Sequence, residues 1–381
     1  MKKVLIVASV ASMIDQFNIE NIKVLQKLKC KVHVAANFKF GSTSDRKSVE
    51  HLIERLKTID VEVHDMHFER NAFSLKNIRI YFKVRQLINT EKFDIIHCHS
   101  PIGGLISRLA ARKSRKKDNT KVIYTAHGFH FYKGAPFKNW LLYYPIEKFL
   151  SIYTDKIITI NNEDYNTARK FSSNAVYVPG IGVNIDQIKE KYVDKTSKRE
   201  ELGVPSNSIM LISIGELNNN KNHSKIIDAL CEFKNKNLYY VICGQGNLLN
   251  NLKDQAKKLN VDDRVIFTGF RNDVIEILKV ADIFCFPSFR EGLPVSLMEA
   301  MAVGLPCVVS QIRGNTDLIV ENKGGVYIRP DSTKDIKEGL DLLISDSQLR
   351  EDMGKFNTHY IDKFSIQNVE NLMLSIYQSY I

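Results

Sequence analysis

The sequence predicts an α/β protein made of two successive open sheets, mostly parallel, and three observations carry that reading. A chain of 381 residues exceeds the usual size of a single hydrophobic core, so two domains are expected. Short apolar runs of strand length alternate with amphipathic stretches of helix length, the pattern of repeated βαβ units. That alternation breaks at Pro179-Gly180-Ile181-Gly182 and resumes at Ile209. With 44% hydrophobic and 25% charged residues, the composition excludes a largely disordered chain.

In the first half, Val4 to Val10 is a short apolar run of the kind a buried parallel strand requires. Residues 15–28 follow with Phe17, Ile22, Leu25 and Leu28 at near-helical spacing. Further strands are predicted at Lys31 to Ala36, Asp94 to His97, Val122 to Thr125, Lys156 to Ile160 and Ala175 to Val178. Helical patterns fall between them at 76–89, 103–112, 138–151 and 162–172. This gives a first domain over 1–182. The charged stretch 183–204 lacks a strand pattern and reads as a linker. A second domain over 205–360 has strands at Ile209 to Ile214, Leu238 to Cys243, Val265 to Thr268, Ile283 to Phe286, Cys307 to Ser310 and Val326 to Ile328. Its helices are expected at 222–235, 248–259, 272–278, 293–302 and 334–344, and residues 361–381 form a last amphipathic helix.

Six cysteines, Cys30, Cys98, Cys231, Cys243, Cys285 and Cys307, form no CxxC pair, so buried reduced thiols of a cytosolic protein are expected. Met1-Lys2-Lys3 and the apolar run after it imitate a signal peptide. Asp15 and an amphipathic pattern follow, so an opening strand fits better. No stretch reaches the roughly 18 to 20 apolar residues that span a bilayer.

Lys and Arg total 54 against 43 Asp and Glu, a net charge of +11. The excess lies in one half: residues 1–180 carry a net +14 and residues 181–381 a net −3. The densest run, Arg108 to Lys121, includes Arg112, Lys113, Arg115, Lys116 and Lys117, a field that attracts anionic lipid or nucleic acid. Trp140 to Ile146 is rich in aromatic and aliphatic side chains that either enter a headgroup layer or pack inside. Basic charge beside an aromatic patch favours a membrane-facing first half, with Arg112, Lys113, Arg115, Lys116, Lys117 and Trp140 expected on its membrane or acceptor side. No zinc finger or RNP-like aromatic pair accompanies it, so nucleic acid is not an expected partner.

Ligands of open α/β sheets bind beyond the carboxyl ends of the strands. The loop Gly215 to His223 offers a glycine for close backbone approach and Lys221 for a phosphate, although a polar surface loop explains it nearly as well. Gly244-Gln245-Gly246 is a lone GxG without the rest of a dinucleotide or P-loop fingerprint. Thr268-Gly269-Phe270-Arg271 borders a flat base or is a packed turn. Most informative is Pro287 to Ala300, where a helix is expected soon after Glu291 with Pro294 in its first turn. The amides of Gly292, Leu293 and Val295 then become donors to an anion or a sugar oxygen. On one helix, Glu291 and Glu299 would stand roughly 12 Å apart along the axis. They would address different parts of an extended ligand. Glu299 is flanked by apolar residues, so its burial requires a donor, unless it is an ordinary exposed helix glutamate.

In the first half, Tyr124 to Tyr132 leaves a strand into an aromatic loop containing His127, which either bonds a substrate hydroxyl or simply packs. His97 and His99 share one side of a strand, but no further ligands complete a zinc set, so structural histidines are expected. There is no HExxH, GxSxG or DxD-like pair.

The Glu291 to Glu299 segment is an E-x7-E pattern, and with it the chain resembles the GT4-type retaining glycosyltransferases of the GT-B fold. The likeness covers nearly the whole chain: the His127-Gly128 loop, the Gly215 loop, Gly244-Gln245-Gly246, Thr268-Gly269-Phe270 and the E-x7-E segment occur in the family's order. Tyr124 to Tyr132 and Gly215-Glu216-Leu217 with Asn220-Lys221-Asn222-His223 look like the subgroup of capsule and exopolysaccharide biosynthesis. The resemblance implies two Rossmann-like domains facing across a cleft, the first binding acceptor and the second a UDP-sugar, with the last helix crossing back. It implies that Glu299 holds the ribose, Glu291 contacts the transferred sugar, and the Gly292, Leu293 and Val295 amides meet sugar or diphosphate. Lys221 would neutralise the diphosphate, Phe270 and Arg271 would flank the base, and His127 would approach a donor-sugar hydroxyl.

Two departures matter. Many relatives have arginine where this chain has Glu216, and the early glycine-rich turn is replaced by Ser9 to Asp15, which has no glycine. The expected activity is metal-independent transfer of a hexose or N-acetylhexosamine, with no cofactor beyond the UDP-sugar co-substrate. The expected acceptor is a polyprenyl-diphosphate-linked saccharide at the inner face of the cell membrane. Competing readings are a nucleotide-sugar epimerase or hydrolase on the same scaffold and a basic nucleic-acid-binding or scaffold protein.

Overall fold

The computed structural model describes residues 1–39, 46–69, 71 and 74–381, and the chain divides into two compact units. One comprises Met1–Ile181 with Gln367–Ile381, and the other Gly182–Ile366.

Among the described residues the first unit holds seven strands: β1 (Lys3–Val7), β2 (Lys31–Ala36), β3 (Glu62–Asp65), β4 (Ile95–His99), β5 (Lys121–Ala126), β6 (Lys156–Thr159) and β7 (Ala175–Tyr177). They pair in parallel in the order β3-β2-β1-β4-β5-β6-β7. Successive side chains of a strand point to opposite faces, and β1 shows the consequence. Val4 and Ile6 enter one core with Ile22, Leu25, Val369, Met373 and Tyr377. Leu5 and Val7 enter another with Val84, Ile106 and Phe131. The helix Ile366–Gln378 therefore seals one face of the first sheet.

The second unit holds six parallel strands, β8 (Ile209–Ile214), β9 (Leu238–Cys243), β10 (Val265–Gly269), β11 (Ile283–Phe286), β12 (Cys307–Ser310) and β13 (Gly325–Ile328), in the order β10-β9-β8-β11-β12-β13. In both sheets the chain moves outward one way and then returns to the centre. The strand order thus reverses between β1 and β4, and between β8 and β11. Crevices at such reversals are where open sheets bind ligands.

Several boundaries differ from expectation. The stretch 183–204 is not an extended linker, because it contains the helices Ile185–Glu190 and Lys195–Glu201, both within the second unit. Arg199 is buried there, bonding to Val280 O, Ser208 O and Asp282. β3 and the helix Arg46–Thr58 before it went unanticipated, since β3 is a half-exposed strand at the sheet edge whose Glu62, His64 and Asp65 hide the apolar pattern. The helix Ser347–Tyr360 and a 3₁₀ turn at Ile361–Phe364 occupy the end of the second unit, so the last helix starts at Ile366 instead of 361. Among the described residues no helix is long and apolar enough to cross a membrane.

Candidate active site

In the second unit the loops beyond β8, β9, β10 and β11 are stitched into one surface. Gly215 N–H donates to Cys243 O at 3.0 Å, Leu217 N–H to Gln245 O at 2.9 Å, and Gly244 N–H to Gly269 O at 2.8 Å. A Cβ on Gly244 would lie 1.8 Å from Gly215 O, so this approach admits only glycine. On the other side of the strand reversal, Phe289 N–H donates to Asn220 O at 2.9 Å. Asn220 Nδ2 donates to Arg290 O at 3.0 Å and Asn222 Nδ2 to Pro287 O at 3.2 Å.

Those bonds bring Lys221 and Glu291 together. Lys221 Nζ donates to Glu291 Oε1 at 2.8 Å and lies 4.5 Å from the centre of the Phe286 ring. The two side chains keep 19% and 12% exposure, so this is a partly desolvated pair at a loop junction and not a solvated surface contact. Glu216, by contrast, is exposed. His223, next along, is buried against Tyr240 Oη at 3.2 Å, and burial lowers its pKa to about 4.

The helix after Glu291 runs Val295–Ala302, with Pro294 as its extended N-cap. Glu291, Gly292 and Leu293 therefore stand in a loop, and the one-helix spacing expected between Glu291 and Glu299 does not apply. Pro294 is extended, with ψ 121°, so the helix starts at Val295, two residues after the expected 293. Of the three expected amide donors, only Val295 belongs to the helix. Glu299 lies on its half-buried side, without a side-chain partner among the described residues, and burial raises its pKa to about 7. Phe270 is 68% exposed beyond β10, free to lie against a flat ring. Arg271 bonds Asp273 and Glu201.

Two contributors were missed. Arg313, buried, donates from Nε to Glu291 O at 3.2 Å. Gly314, at φ +80°, packs so closely that a Cβ would sit 2.3 Å from Gly292 O. Both follow β12, so the rule that singled out the other strand-end loops would have found them.

In the first unit the reversal lies between Ser9 and Ser100. Ser9 N–H donates to Ser100 Oγ at 3.2 Å, Gly103 N–H donates to Ser9 Oγ at 3.2 Å, and the two hydroxyls bond each other. Serines thus close the turn at this reversal. Ser100 adopts φ +63° directly before the helix Pro101–Lys117, a strained conformation for a side-chain-bearing residue. Beside it, His99 Nδ1 and His127 Nε2 are 3.0 Å apart, and Phe17 meets the His127 ring edge-on at 5.0 Å. His97 bonds Tyr377 Oη at 2.7 Å and Thr125 Oγ1 at 2.8 Å. Desolvation lowers the pKa of His97 to about 3 and of His127 to about 4, and that of His99 well below its ordinary value. All three are neutral hydrogen-bonding groups near pH 7.

Two expected membrane-side residues are corrected. Arg115 is held by Asp155 through bonds of 3.0 and 2.9 Å and donates to Ile152 O at 3.0 Å, so it ties elements together instead of meeting solvent. Trp140 packs toward the core near Phe131 and Tyr144, its Nε1 donating to Tyr132 O at 3.3 Å. Arg112, Lys113, Lys116 and Lys117 are exposed.

Among the described residues one group, His33, Glu62 and His64, could converge on a metal ion. Its histidine nitrogens already face each other at 3.0 Å with the rings within 3° of parallel, and Glu62 pairs with Lys31. A cation would have to break that hydrogen bond, and the group lies in the body of β2 and β3, away from the strand-end loops.

Residues 194–359 match the model of the family "Glycosyl transferases group 1", and residues 3–161 match "Glycosyl transferase 4-like". The chain is 34% identical to the putative glycosyltransferase EpsD of Bacillus subtilis, an alignment covering 100% of this chain and 97% of that one. It is 32% identical to the UDP-Gal:alpha-D-GlcNAc-diphosphoundecaprenol alpha-1,3-galactosyltransferase of Escherichia coli over 68% of each chain. The fold matches the crystal structure of Anabaena Alr3699/HepE in complex with UDP, with a TM-score of 0.79, 17% identity and full coverage of both chains.

Proposed function

Because this chain belongs to the group 1 glycosyl transferases and has the GT-B fold, we propose that it transfers a hexose or N-acetylhexosamine from a UDP-sugar to a hydroxyl of a lipid-linked saccharide. The acceptor is a polyprenyl-diphosphate-linked sugar used in surface polysaccharide assembly, and the anomeric configuration is retained. The observation that carries this reading is the Lys221–Glu291 pair at the β8/β11 reversal, where a cation and a carboxylate share one loop junction. The relative whose name specifies UDP-Gal and a diphosphoundecaprenol acceptor supports the donor and acceptor classes.

The difficult step is departure of UDP as positive charge develops at the anomeric carbon. Lys221 meets the diphosphate, and the amides of Gly292, Leu293 and Val295 receive its oxygens or those of the sugar. Charge stabilisation aimed at the leaving group is the effective contribution to such a reaction. Arg313 donates to the backbone carbonyl of Glu291 and braces the loop that carries it. Glu299 accepts from the ribose hydroxyls, Phe270 flanks the base, and Glu291, once released by Lys221, holds the sugar. His127, neutral, bonds a sugar hydroxyl and does not act as a base. The acceptor proton passes to the departing phosphate oxygen on the same face, so no covalent nucleophile and no metal ion are required.

The test is a screen of UDP-sugars with a polyprenyl-diphosphate-linked saccharide, read by mass spectrometry and linkage analysis. A glycosylated acceptor is expected, with full activity after chelation. Epimer or free sugar formed without acceptor would replace transfer by the epimerase or hydrolase reading.

A further inference from the structure

In the pairing of β4 with β5, His97 stands opposite Ile123 and His99 opposite Thr125. Side chains of one face meet along a diagonal there, each with the residue two positions beyond its opposite. His97 Nε2 meets Thr125 Oγ1 at 2.8 Å, and His99 Nδ1 meets His127 Nε2 at 3.0 Å. His97 is satisfied at both nitrogens, because its Nδ1 bonds Tyr377 Oη at 2.7 Å. His99 is not. It is buried, with 1% exposure, and its Nε2 has no partner among the described residues.

That unpartnered nitrogen decides where the proton of each ring lies. Burial keeps His99 and His127 neutral near pH 7, so each ring carries one N–H. The bond between them can run in two directions. If His127 Nε2–H donated, the proton of His99 would sit on Nε2, a buried donor with nothing to receive it. If His99 Nδ1–H donates, only a bare ring nitrogen is left without a partner. A buried N–H lacking an acceptor is the rarer and more destabilising defect, so the second direction is favoured. His127 then accepts at Nε2 and carries its own proton on Nδ1. The His127 side chain is only half-buried, and its one bond among the described residues is the one to His99.

We propose that His99 is a positioning residue: by donating from Nδ1 to His127 Nε2 it fixes His127 as an Nδ1–H donor toward its ligand. His99 is held in place at the end of β4, with the His97 ring 4.2 Å away, and Phe17 holds the His127 ring at its edge. The N–H so aimed bonds an oxygen lone pair, and no basic nitrogen of His127 faces the ligand. That this oxygen belongs to a sugar hydroxyl rests on the transfer reading proposed above, whereas the proton positions do not.

The test is long-range ¹H–¹⁵N correlation of the histidine rings in the full chain, near pH 7 and without ligand. His127 is expected with a protonated Nδ1 and a bare Nε2. In His99→Leu, which fills the space without a donor, nothing holds the proton off Nε2, and the Nδ1–H form is expected to fall. His99→Asn, whose amide N–H reaches the place of Nδ1, is expected to restore it. In the transfer assay kcat is expected to fall about tenfold in His99→Leu and to recover in His99→Asn. Thermal unfolding and UDP binding check that the variants fold. A parent His127 protonated on Nε2 overturns the proposal, as does an unchanged His127 in folded His99→Leu. If His99→Leu does not fold, the parent spectrum decides, with Nδ1–H on both His99 and His127 required. Unchanged kcat beside a shifted proton also overturns the positioning role. An Nδ1–H form of His127 that depends on His99, in a protein with no transferase activity, supports the proton positions and removes only the chemistry.

Discussion

Lys221 and Glu291, separated by seventy positions, form an ion pair at 2.8 Å across the β8/β11 reversal. Each occupies the other, so a donor must exchange this contact for its own: the diphosphate takes Lys221 and the sugar takes Glu291. Removing one charge at such a site affects the transition state more than binding. Lys221→Ala is expected to lower kcat by about 10²–10³-fold. Glu291→Gln, which keeps shape and hydrogen-bonding capacity, is expected to lower transfer while unfolding remains cooperative. Steady-state kinetics checks both, and unchanged transfer in either variant removes that residue from the proposed role.

Glu299 gives a pH test. Burial raises its pKa from 4.5 to about 7, so between those values the folded state holds a proton that the unfolded state has lost. The resulting stabilisation is present in acid and disappears as pH rises through about 7, an effect on the order of 3 kcal/mol. Above that point the ionised carboxylate accepts from hydroxyls, so UDP affinity is expected to rise with pH. Glu299→Gln should flatten that rise, weaken UDP binding roughly tenfold and raise the unfolding temperature around pH 8. Titration calorimetry and thermal unfolding around pH 6 and pH 8 read both effects. Identical pH profiles for the two proteins would remove the ribose role.

The legible parts of this fold and site are those whose signal is local. Buried parallel strands such as β8 and β11 are continuous apolar runs, and the Gly215 and Glu291 loops follow from their carboxyl ends. β3 was hidden because an edge strand buries only part of its surface and carries Glu62 and His64. Gly314 is within reach of the strand-end rule, but the constraint on it, the carbonyl of Gly292, is a neighbour only after folding. The neighbours of Trp140 in sequence point it outward. Helical rotation decides the matter, turning Trp140 inward and Leu141 outward.

The histidines of the first unit predict acid sensitivity. His97 and His127 have their pKa lowered from 6.5 to about 3 and about 4 by burial. Below about pH 6.5 the unfolded chain takes up protons that the folded chain refuses. Stability is therefore full above 6.5 and falls as pH drops toward 4 and 3, by several kcal/mol at about pH 4. Denaturant unfolding across that range should show the loss, and His97→Gln should reduce its slope. Transfer rate should show no ionisation near pH 6.5 that vanishes in His127→Asn. Such a step would make His127 a titrating base.

The basic run separates into structural and surface members, and substitution should divide them. Arg108 is fully buried, bonded to both oxygens of Glu147 at 2.8 and 3.2 Å, and 3.9 Å over the Tyr124 ring. Its loss leaves Glu147 as an uncompensated buried charge, a defect worth about 3–5 kcal/mol. Arg115 and Asp155, at 22% and 20% exposure, form a more solvated pair, yet Asp155 also accepts from Val122 N–H at 2.8 Å where β5 begins. Arg108→Met is therefore expected to unfold well below the parent, and Arg115→Ala to lie between it and the parent. Lys113→Ala and Lys116→Ala, whose side chains are exposed, should leave stability within about 0.5 kcal/mol. Thermal and denaturant unfolding of the four variants checks the order. Equal stability across all four would mean that Arg108 and Glu147 are not held together in the folded protein.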